Sequence, residues 1–246
     1  MTYCVGMMLR DGLVFMSDTR TNAGLDNIST FKKMTIWEEP GDRVMTLMSA
    51  GNLATTQAVV SLLDERSKLP EERTSSLMKA PSMFQAACMV GDTLREVIKD
   101  LKEGGQRADS GFDATLMLGG QIAGSPPRLF LIYPEGNFIE AGDDTPFFQI
   151  GEIKYGRPIL VRAYDPKLNF ADALKLLLVS FDSTLKANLS VGAPLDYFCY
   201  HTDSLEKKYV GRVEADNAEF QSISTQWGNA LKQALDTLPN VNLNTN

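Results

Sequence analysis

TYCVGMMLRDGLVFMSD, residues 2–18, decides how this chain begins to fold. Two apolar runs, 2–9 and 13–17, flank Arg10-Asp11-Gly12, and Asp-Gly there suits a tight hairpin that needs positive φ. The first run reads as a buried strand from its first residues, which leaves no room ahead of it for a signal peptide, a targeting arm or a disordered leader. Thr2 then acquires a chemical meaning. With Met1 removed, as is expected before a residue as small as threonine, residue 2 carries a free α-amine beside its own hydroxyl. Such an amine titrates at about pH 8 and can serve as general base to a hydroxyl nucleophile.

Outward from this hairpin, a polar loop (19–30) leads to FKKMTIW (31–37) and RVMTLMSAG (43–51) around the turn EEPGD, so four strands are expected before any helix. Residues 52–67 read as a helix with Asn52 as N-cap. In 82–105 the residues Phe84, Ala87, Cys88, Gly91, Leu94, Ile98 and Leu101 mark one helical face, ended by Gly104 and Gly105. Strands return at 113–120, at 128–142 as a hairpin about PEGN, and at 147–151. A long helix follows at 169–190, then strands at 194–201 and 207–215, a helix from about 218 to 238, and a polar tail from about 240 to 246. Hairpins in place of crossovers predict an α+β class with two mostly antiparallel sheets sandwiched between helical layers, in one domain spanning 1–246. The loop GGQRADSG (104–111) is its weakest point.

A net charge of -7 with no Lys/Arg cluster longer than a pair argues against nucleic acid or an anionic membrane as partner. No apolar run reaches membrane-span length, and a cytoplasmic protein is expected. Cys4, Cys88 and Cys199 lie far apart in apolar contexts and read as core residues, so no metal site, disulfide or cofactor is called for. His201, the sole histidine, reads as a strand terminus. The glycines of LGGQIAGSPP lack the ending and spacing of a phosphate loop.

Side chains alternate along a strand, so Lys32 and Lys33 must point to opposite sides and one of them faces inward. An inward lysine needs a partner, and Asp18 at the end of the second strand is the natural one if strands two and three meet at one edge. Thr2, Asp18 and Lys33 would then converge. Spacing alone equally allows Asp18 to cap a loop and Lys33 to be solvated.

Taken together, the opening threonine, DTRT (18–21), KKM (32–34) and SAGNLATTQ (49–57) resemble proteasome β-type subunits and the bacterial protease subunit HslV in order and spacing. DGLVFMSDTRTNAGL and STLKANLSVGAPLDYFCY are most similar to the bacterial Anbu, or ancestral β-subunit, branch of that group. The resemblance implies the four-layer αββα sandwich of N-terminal-nucleophile (Ntn) hydrolases. It assigns Thr2 as nucleophile with its own amine as base, Asp18 and Lys33 as the groups that tune and orient it, and the Gly51 backbone N–H as oxyanion donor; Gly51 also suits an ordinary turn before a helix. Ser190 keeps a family serine, whereas Glu152 stands where the family has the serine of Gly-Ser-Gly, and Ala187 where it has aspartate. Implied partners are other copies of the chain, in a ring or spiral, and a peptide or related amide substrate; an ATPase partner is left open. The activity implied is threonine-type hydrolysis through an acyl-enzyme, weak or conditional if Glu152 raises the pKa of the Thr2 amine. The alternatives are a proteasome-like scaffold without useful hydrolysis, and an amidase or acyl transferase acting on a small amide.

Overall fold

In a computed structural model, the protein is described for residues 2–22, 28–68, 76–103 and 111–242. The first sheet has the order β10-β1-β2-β11-β12, built from β1 (Tyr3–Leu9), β2 (Gly12–Asp18), β10 (Phe147–Gly151), β11 (Leu195–His201) and β12 (Tyr209–Val213). The second runs β5-β6-β7-β8-β9, from β5 (Met34–Glu39), β6 (Arg43–Gly51), β7 (Ala114–Ile122), β8 (Arg128–Ile132) and β9 (Phe138–Glu140). Every pairing between these strands is antiparallel. The helices are α1 (Leu53–Lys68), α2 (Met83–Glu103), α3 (Arg157–Ala163), α4 (Phe170–Ala187) and α5 (Ala218–Thr237).

Three apolar cores separate four layers. Tyr3, Val5 and Met7 of β1 join Val14 and Met16 of β2 against Leu177 and Phe181 of α4. Met45 and Leu47 of β6 face Val59 and Leu63 of α1 and Val90 and Leu94 of α2. Between the sheets, Cys4, Leu13 and Phe15 meet Val44, Met48, Met117 and Leu129. Successive residues of β1, β2 and β6 thus enter different cores, which is why these strands are apolar at nearly every position instead of alternating. The fold is the α+β, four-layer αββα sandwich of the Ntn-hydrolase class.

Several local expectations need correction. The β1–β2 loop is Arg10-Asp11 alone, since Leu9 pairs with Gly12. Gly12 lies on the strand at φ +151, and a Cβ there would stand 1.9 Å from Tyr200 O, so glycine is required by the approach of β11 rather than by the turn. The polar loop after β2 carries a short hairpin of its own, β3 (Arg20–Asn22) and β4 (Ile28–Thr30), making six strands before α1 instead of four. The α2 stripe holds at Ala87, Gly91, Leu94 and Ile98, but the buried face is wider than expected: Met83, Ala86, Val90 and Val97 join the core, while Phe84 at the other edge is 44% exposed. Helix α3, whose RPILVRA is too short to show periodicity, was not foreseen. The glycines expected to end α2 and most of the loop 104–111 fall outside the described residues.

Cys4 and Cys199 are buried, Cys88 only partly, and all three are free thiols. Burial pushes the Cys4 thiol up, Asp18 adding to the effect, and takes Cys199 to about 12. We expect iodoacetamide at pH 8 to modify Cys88 alone in the native protein and all three thiols after denaturation; native labelling of Cys4 would contradict the packing described.

Candidate active site

Thr2 precedes β1 and is held through its backbone. Its carbonyl oxygen accepts from Glu152 N at 2.7 Å, and Gly151, at φ +85, lies so close that a Cβ would be 1.9 Å from that oxygen. Behind it, the Tyr3 hydroxyl shares a 2.7 Å hydrogen bond with Ser180 Oγ, accepts from Gln149 Nε2 at 2.6 Å, and is pushed up to about 12 by burial. β1 is therefore pinned to both β10 and α4 one residue after Thr2.

Asp18, with no exposed surface, ends β2 in the first sheet, whereas Lys33, 7% exposed, immediately precedes β5 in the second. Lys33 Nζ donates to Asp18 Oδ1 at 2.7 Å and to Arg20 O at 2.5 Å. The pair therefore forms across the two sheets, not along one shared edge. Asp18 also accepts from Tyr3 N at 3.0 Å and from Gly192 N at 3.3 Å. Burial pushes its carboxyl above the usual range, opposed by the Lys33 ammonium and these two N–H donors. Lys33 is buried and Lys32 exposed, but strand alternation is not the reason: both precede β5, which begins at Met34, and both line the cleft that holds Thr2.

Thr2, Lys33 and Gly51 line one cleft of about 870 Å³, together with Thr21, Ser49 and Gly151. Its floor continues along Leu53, Thr56 and Val60 of α1. Gly51 ends β6 at φ +120, where a Cβ would sit 2.5 Å from Asp113 O, so this position requires glycine on steric grounds. Asn52 caps α1, its Oδ1 accepting from Thr55 N at 3.2 Å, and Asn52 and Leu53 at the start of the helix line the cleft.

Ser190 does not line the cleft. It is half-buried in the loop after α4, where its N–H donates to Asn188 Oδ1 at 2.9 Å, and Gly192 of the same loop reaches Asp18. Glu152 Oε2 accepts from Asn188 Nδ2 at 3.0 Å, so the carboxylate at the family's serine position is tied to this loop. Ala187, the last residue of α4, is exposed. Arg20, quoted within DTRT but given no role at the sequence level, links these parts. Its carbonyl holds Lys33, its Nη1 donates to Leu189 O at 2.9 Å, and its guanidinium lies where a Cβ on Gly192 would be 2.2 Å from Nε. His201 ends β11 exposed, as a strand terminus. Among the described residues no group of three or more His, Cys, Asp or Glu could hold a metal ion, and no helix is long and apolar enough to cross a membrane.

A threonine at the head of β1, a buried aspartate–lysine pair joining the sheets and a helix N-terminus meet at one cleft, in a fold of the proteasome-β-like class. Solved structures place the chain more finely. Anbu from Yersinia bercovieri is 48% identical over 98% of this chain and 99% of its own, at a TM-score of 0.91. An Anbu (Gly-1) mutant from Hyphomicrobium sp. strain MC1 is 48% identical over 99% of this chain and 100% of its own, at 0.92. A structure described as the helical assembly of the Anbu complex from Pseudomonas aeruginosa is 46% identical over 99% and 100%, at 0.91. No protein-family model and no curated protein matches the chain. The chain belongs to the Anbu family, the ancestral β-subunits of the proteasome group.

Proposed function

We propose that the protein is a threonine-type Ntn hydrolase that cleaves peptide or related amide bonds through an acyl-enzyme on Thr2, within a homo-oligomer. The observation that carries this reading is the buried Asp18–Lys33 pair, an arrangement costly to keep in a fold unless the charge has work to do. Removal of Met1 frees the Thr2 amine. That amine, through a bridging water, takes the proton of Thr2 Oγ1 as the oxygen attacks the substrate carbonyl carbon. Lys33 stabilises the developing alkoxide, Asp18 keeps Lys33 in place, and the Gly51 N–H at the head of α1 receives the oxyanion. The tetrahedral intermediate collapses as the leaving amine takes up the proton, and water then hydrolyses the Thr2 ester. Ser190 and Glu152 act through the loop that carries Gly192 rather than on the substrate.

The amine must be neutral to act as base, so turnover should rise with pH through a midpoint at about 8, and sit higher if Glu152 stabilises the ammonium. Intact mass of the active material tests the premise. Loss of Met1 is expected; hydrolysis by a chain that quantitatively retains Met1 would remove the amine from the mechanism. Self-association is proposed because the P. aeruginosa relative is described as a helical assembly.

A further inference from the structure

Helix α5 begins as part of the protomer and ends outside it. Asn217 caps it, its Oδ1 accepting from Phe220 N at 2.9 Å. Phe220 is buried, Ile223 packs on the core beneath α4, and Ser224 Oγ accepts from Lys186 Nζ at 2.9 Å. From there the same apolar stripe runs on as the half-buried Trp227 and then Leu231 and Leu235, at helical steps of four, with Leu238 at the C-cap, where the backbone turns extended. Every residue from 229 to 238 is exposed, Leu231 by 50%, Leu235 by 70% and Leu238 by 62%. This segment has only Lys232 and Asp236 as charges. Gly228, where the anchored half gives way to the free half, has no neighbour within 4 Å of where a Cβ would be, so nothing inside the protomer calls for a residue that weakens the helix.

A short helical end without a packed face is marginal in water, because helices in proteins are held by burial of one side. Leucines on such an end are unfavourable in a free protomer and suit a covered one.

We infer that the stripe Trp227–Leu231–Leu235 of α5, with Leu238 at its C-cap, docks on a second copy of this chain and is a contact through which the protein assembles. The inference rests on the self-association proposed above. The occupant is a second copy because a relative 46% identical over 99% of this chain is described as a helical assembly, and such an assembly places copies of one chain against each other. If the surface the stripe meets lies elsewhere on the chain, the contact is heterologous and propagates into a ring or a spiral.

The test uses the full chain and the double variant Leu231→Lys/Leu235→Lys, lysine being a good helix former. Sedimentation velocity at micromolar concentration reads the mass, and hydrogen exchange of the amides 229–238 reads α5 directly in the wild type, assembled and diluted. We expect an assembled wild type whose 229–238 amides are protected and lose protection on dilution, and a variant that sediments near 27 kDa with unchanged exchange in α4 and β1. A wild type that assembles with 229–238 exchanging freely, or a variant that assembles like the wild type, overturns the inference while sparing self-association. A monomeric wild type overturns both.

Discussion

Lys33→Ala should lose nearly all turnover and about 3–5 kcal/mol of stability, because it leaves the Asp18 carboxylate buried without its cation. Asp18 has no exposed surface, so its charge depends on donors within the protein. The remaining donors, Tyr3 N and Gly192 N, are neutral. Loss of stability and loss of chemistry are therefore entangled in this variant, and Asp18→Asn/Lys33→Met separates them. Replacing a buried pair by neutral groups of similar volume is commonly near neutral in stability, so the double variant should unfold close to the wild type in urea yet remain without turnover. Lys32→Ala, altering an exposed side chain, should shift stability by no more than about 0.5 kcal/mol. Turnover retained in Lys33→Ala, or restored in the double variant, would contradict the role given to Lys33.

Thr2→Ala should have the larger effect on chemistry and almost none on the fold. The contacts that fix residue 2 are made by its backbone: the carbonyl bonded to Glu152 N and the close approach of Gly151. Alanine keeps both, so unfolding should move by less than about 1 kcal/mol and the assembled mass should stay the same. Turnover should fall by about 10⁴-fold or more, since the alanine side chain has no oxygen with which to attack the substrate carbonyl. Thr2→Ser keeps hydroxyl and amine and should retain measurable activity. Activity in Thr2→Ala near that of the wild type would move the nucleophile elsewhere.

What the sequence disclosed follows from how strongly each feature is buried. Strands such as β1, β2 and β6 lie between two cores and spell themselves out as uninterrupted apolar runs between turn residues. The cost of an inward lysine made the partnership of Asp18 and Lys33 one of two readings, the family resemblance favoured it, and neither disclosed its geometry. No spacing rule says that β2 and β5 belong to opposite sheets. Helix α3 and the β3–β4 hairpin were hidden because seven and three residues hold too little periodicity. Phe84 misled the reading of α2, since helical spacing alone does not say which edge of an apolar stripe faces the sheet. Arg20 left the faintest signal. It works through its carbonyl toward Lys33 and through a guanidinium that needs the bare backbone of Gly192, far along the chain, to make room.

A peptide epoxyketone reports in one reaction whether Thr2 is a nucleophile with its own amine at hand. The threonine hydroxyl adds to the ketone and the amine opens the epoxide, so both groups are consumed on one residue and nothing leaves. Intact mass followed by sequencing of the N-terminal peptide should show a chain beginning at Thr2 that has gained the full mass of the reagent, with both attachments on Thr2. Folded protein that begins at Thr2 and takes up no reagent, or carries it on another residue, would contradict the account.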